Sequence, residues 1–129
     1  MAKFYVQCGQ TDLVLTSDST ESAALAMIDR LLEPHRWIYD DPNLGEMECQ
    51  QHLMLEALMH LPTEILISQQ GFDRSDAQSI SVPETIQMWH ALMVGIRRLI
   101  VRAGLDRKVA VLARSRMIDF ANTQPRLPR

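Results

Sequence analysis

The chain is poor in several features that would point to a reaction. Cys8 and Cys49 are its only cysteines and show no Cys-x-x-Cys spacing, so neither a disulfide framework nor a redox pair is expected, and both read as buried, reduced thiols. The five glycines (9, 45, 71, 95, 104) are scattered. Neither Gly-x-Gly-x-x-Gly nor a P-loop occurs, which excludes the common nucleotide-binding enzymes. Gly-x-Ser-x-Gly is also missing, so nucleophilic catalysis has no recognisable elbow. Aromatics make up only 5% of the chain, and eight methionines take up some of that volume. No run approaches the roughly 18 apolar residues of a membrane span. Gln7, Gln10 and Asp12 interrupt the N-terminal apolar stretch before it resembles a signal peptide. The expectation is a soluble, cytoplasmic protein with no membrane partner and no cofactor.

What is present suits one domain. The 129 residues, 47% hydrophobic and 22% charged, can bury a core without disulfides or metals. The clearest element runs from Ser81 to Gly104. Ser81 is a good N-cap, Pro83 sits in the first turn, and Glu84 completes a capping box. Ile86, Trp89, Leu92, Met93, Ile96, Leu99, Ile100 and Ala103 recur at helical spacing. Arg97, Arg98 and Arg102 favour the negative end of the helix dipole, and Gly104 supplies the stop.

The preceding chain alternates short strands with helices. Lys3–Cys8 and Asp12–Thr16, joined through Gly9, read as a β-hairpin. Asp18 and Glu21 suggest a capping box for a helix ending at Pro34, with a connection from His35 to Gly45. Asp40-Asp41-Pro42 in that connection reads as a solvated or helix-capping turn. Glu46–Leu61 is a helix whose core face is expected to hold Leu53, Met54, Ala57, Leu58 and Leu61. Leu55 and Met59 widen its apolar arc, so it should be covered on more than one side. Residues 63–68 form a strand, and Ile80 and Val82 a short returning one. A last helix is expected over residues 106–121. The assembled order gives an α+β class: a small antiparallel sheet of three to four strands covered on one face by three to four helices. Residues 1–121 would form the single domain and 122–129 a flexible basic tail.

Three segments carry a resemblance. Phe4-Tyr5-Val6-Gln7-Cys8-Gly9, Tyr39-Asp40-Asp41-Pro42, and Ile67-Ser68-Gln69-Gln70-Gly71-Phe72-Asp73-Arg74 followed by the Trp89 helix resemble a family of short uncharacterised bacterial proteins. The resemblance covers about residues 3–104 and implies a shared domain; it brings no activity and no site residue.

Two constellations remain. Glu48, His52, Glu56 and His60 lie four apart on one helix face. His and carboxylate at this spacing can chelate a metal, but His52 and His60 are two turns, about 12 Å, apart. A site would therefore use Glu56 and His60 with ligands from elsewhere, such as His90 or Asp40; the simpler reading is a solvated strip. Charge is the second signal. Residues 1–96 hold four basic and fourteen acidic residues, whereas 97–129 hold nine basic and two acidic ones. Arg97, Arg98, Arg102, Arg107, Lys108, Arg114 and Arg116 are the candidate anion or nucleic-acid contacts. The alternative is that this basic end folds back on the acidic body. The leading reading is a non-enzymatic module acting through protein–protein contacts, expected to associate with itself as a homo-oligomer. The alternatives are a nucleic-acid-binding accessory protein and a metal-dependent enzyme using Glu56 and His60.

Overall fold

The computed structural model describes residues 1–104; the helix expected over 106–121 and the tail 122–129 lie outside them. The described chain is α+β. β1 (Ala2–Cys8) and β2 (Thr11–Ser17) form the expected hairpin. Cys8 faces Thr11 across the loop, and Gly9 takes a φ of +62° in it, a conformation glycine adopts without steric cost. β3 (Glu64–Ser68) and β4 (Gln78–Ser81) complete an antiparallel sheet of order β2-β1-β3-β4.

Alternation assigns the two faces. Phe4, Val6, Cys8, Leu15, Ile65 and Ile67 are buried on the side where α1 (Thr20–Leu32) packs. Tyr5, paired with Val14, lies on the opposite face, where Phe72 meets its ring edge-on at 5.2 Å. Gln7 fixes the loop carrying Phe72: its side-chain oxygen accepts from the Asp73 N–H at 2.9 Å, and its amide donates to Asp73 Oδ1 at 3.0 Å.

The cap of α1 lies one residue beyond the expected Asp18. Ser19 Oγ accepts from the Ser22 N–H at 3.1 Å. Pro34 does not open a plain connection: Glu33–Asp40 forms a 3-10 helix that buries Ile38 and Tyr39 and turns Trp37 outward. α2 (Glu46–His60) follows, and Glu48 caps it by accepting from the Gly45 N–H at 3.2 Å. α3 (Val82–Ala103) has the expected ends. Ser81 Oγ accepts from the Glu84 N–H at 3.3 Å, and Gly104 closes the helix at φ +72°. Val82 belongs to this helix rather than to the returning strand.

α1 and α3 pack together, and α2 packs on α3 and the 3-10 helix. Trp89 of α3 is fully buried, and its indole N–H donates to Asp29 Oδ1 at 3.0 Å. The other Asp29 oxygen accepts from Arg36 at 2.6 Å. A carboxylate from α1 thus joins a guanidinium from the 3-10 helix to the central tryptophan, so this nearly buried charge is compensated. No described helix is long and apolar enough to cross a membrane.

Candidate functional site

α2 presents its residues differently from the expected arrangement. Its buried residues are Cys49, Leu53 and Ala57, spaced four apart. Leu58, expected in the core, is 83% exposed, and Met54 and Leu61 are only half-buried. The arc was wide enough to allow two rotational phases, and contact with α3 selects the one that includes Cys49. The outward face consequently carries Met47 (68% exposed), Leu55 (56%), Leu58 and Met59 (64%). Trp37, 56% exposed, stands at its flank with its ring edge-on to His52 at 6.3 Å. Large apolar residues grouped on one exposed helix face mark an interaction surface more often than scattered ones do.

On the side of α2 toward the 3-10 helix, the polar strip gains a residue that its own periodicity did not suggest. His35 Nδ1 lies 3.2 Å from His52 Nε2, and His35 Nε2 lies 3.7 Å from Glu56 Oε2. His60 Nε2 is also 3.7 Å from Glu56 Oε2. Three of the four histidines therefore gather around one carboxylate. Glu56 does keep His60 beside it, but the expected outside ligands do not join. His90 Nδ1 is 2.7 Å from the Tyr39 hydroxyl, in a setting where burial lowers its pKa, and the cluster that forms is His35, His52 and Glu56. His35 was invisible to helix-face spacing because it comes from another element. The available signal was Pro34, which starts a helical turn just before it. Its neighbour Arg36 turns the other way, to Asp29, so consecutive residues serve the core and the surface.

The basic candidates divide similarly. Arg97 donates to the carbonyls of Leu44 at 3.0 Å and Asp41 at 3.2 Å, pinning the loop before α2. Within that loop Asp41 Oδ1 accepts from the Asn43 N–H at 2.9 Å, so the acidic turn has a structural use. Arg98 makes a two-pronged pair with Glu46 at 2.9 and 2.6 Å, which lowers the Glu46 pKa. Arg102 is exposed beside them in an open groove of about 580 Å³, also lined by Gly45, Glu46 and Val101. Arg107, Lys108, Arg114 and Arg116 lie outside the described residues. Neither cysteine has the setting of a nucleophile. Burial pushes the Cys8 thiol up to about 11, and the buried Cys49 thiol donates to the Ile38 carbonyl at 3.5 Å.

Comparison with known families, curated proteins and solved structures gives no match.

Proposed function

We propose that this chain is a small non-enzymatic interaction module that self-associates through the outward face of α2. The observation that carries this reading is the group Met47, Leu55, Leu58 and Met59, each more than half exposed on one helix face, with Trp37 at its edge. Leu58 supports it most strongly, being a large aliphatic side chain left almost wholly in water. A second copy is the proposed occupant. Antiparallel pairing of two α2 helices opposes their helix dipoles. The buried thiols suit a reducing compartment such as the cytoplasm.

Sedimentation of the full chain at micromolar concentration tests the proposal. A dimer or larger particle is expected, and Leu58→Glu should return it to monomer with unchanged circular dichroism. A strictly monomeric wild type, or an unchanged particle in the variant, contradicts it. Nucleic-acid binding is the weaker reading because Arg97 and Arg98 already have partners within the chain. Labelled DNA and RNA titrated at two salt concentrations, against a chain truncated after Gly104, would revive it if only the full chain bound.

A further inference from the structure

We propose that His35, His52 and Glu56 form a binding site for a borderline divalent transition metal, represented by Zn²⁺. The residues come from two elements held in register by the fold. His52 and Glu56 are one turn apart on α2, and His35 is supplied by the 3-10 helix packed beside it. Each offers one donor atom within 4.8 Å of the other two.

The shortest separation is the informative one. Tetrahedral Zn²⁺ with bonds of ~2.0–2.1 Å places its ligand atoms ~3.3 Å apart. His35 Nδ1 and His52 Nε2 are 3.2 Å apart, so these rings already have the bite of a metal chelate. Without metal they share one proton, one nitrogen donating and the other accepting. A bound cation replaces that proton but sits to one side of the line between the nitrogens, so the rings must turn toward it without having to separate. Glu56 is the third donor: its half-buried carboxylate lies 3.7 Å from the other His35 ring nitrogen, Nε2, and its own torsions supply the remaining approach to the nitrogens that face each other. Two imidazoles and one carboxylate select Zn²⁺ and its neighbours over Mg²⁺ or Ca²⁺, which prefer all-oxygen shells. All three residues are half-buried, so the ion would keep a position open to water or to a partner's side chain.

This inference does not depend on self-association, because every donor belongs to one chain. The test is calorimetric titration of the full, untagged chain with Zn²⁺, together with thermal melting before and after addition. Saturable binding of one ion per chain and a higher melting temperature are expected. His35→Gln, His52→Gln and Glu56→Gln should each weaken binding by about tenfold or more while leaving the metal-free circular dichroism unchanged. His60→Gln changes an exposed imidazole that touches Glu56 but is outside the three, and should cost less than the loss of either ring ligand. No binding to the wild type, binding indifferent to His35→Gln and His52→Gln, or a loss at His60 as large as at His52 overturns the assignment.

Discussion

α2 and α3 both carry broad apolar arcs, but they use them in opposite ways. α3 buries Val82, Ile86, Trp89, Met93, Val94, Ile96 and Ile100, and its polar attachments tie other elements together through Trp89, Arg97 and Arg98. α2 buries only Cys49, Leu53 and Ala57 and leaves four large apolar side chains in water. The difference shows that apolar content alone does not make a core helix. Among the described residues α3 packs against α1, α2, β4 and the 3-10 helix, whereas α2 packs mainly against α3 and the 3-10 helix.

The largest expected effect comes from breaking the inner side of this contrast. Asp29→Ala removes the carboxylate that accepts from both the Arg36 guanidinium and the Trp89 indole N–H, and should cost about 3–5 kcal/mol in denaturant unfolding. A loss below about 1 kcal/mol would mean that the pair does not hold α1 to α3. Leu53→Ala, on the buried side of α2, should cost about 3 kcal/mol. His90 sharpens the contrast through pH. Burial lowers its pKa from 6.5, so the fold favours the neutral ring. Its contribution is complete above pH 6.5 and is lost as pH falls through the lower folded value. The acid side of the stability profile should therefore be flatter in His90→Gln than in wild type. Leu58→Ala should change monomer stability by less than about 0.5 kcal/mol when measured below the concentration of association. A cost close to that of Leu53→Ala would erase the distinction between the two faces.

Much of the frame was legible in the residues. Ser81 and Gly104 marked α3 because caps are local chemistry, and the hairpin was marked by alternation around Gly9. Trp89 was recognisable as core, although Leu99 on the same expected stripe is 56% exposed. The phase of α2 was less legible: Cys49 is buried as expected, but Leu58, expected beside Leu53 and Ala57 in the core, faces outward. The 3-10 helix gave no 3.6-residue pattern to read. The metal candidate was half visible. Glu56 and His60 share a helix face, but His35 reaches Glu56 through packing between elements, which periodicity does not encode.

The proposed working surface is the outward face of α2. Sedimentation equilibrium of wild type and Leu58→Glu, at matched micromolar concentrations, tests it most directly. An associated wild type and a folded, monomeric variant are expected. A wild type that stays monomeric, or a variant that associates equally, would contradict it.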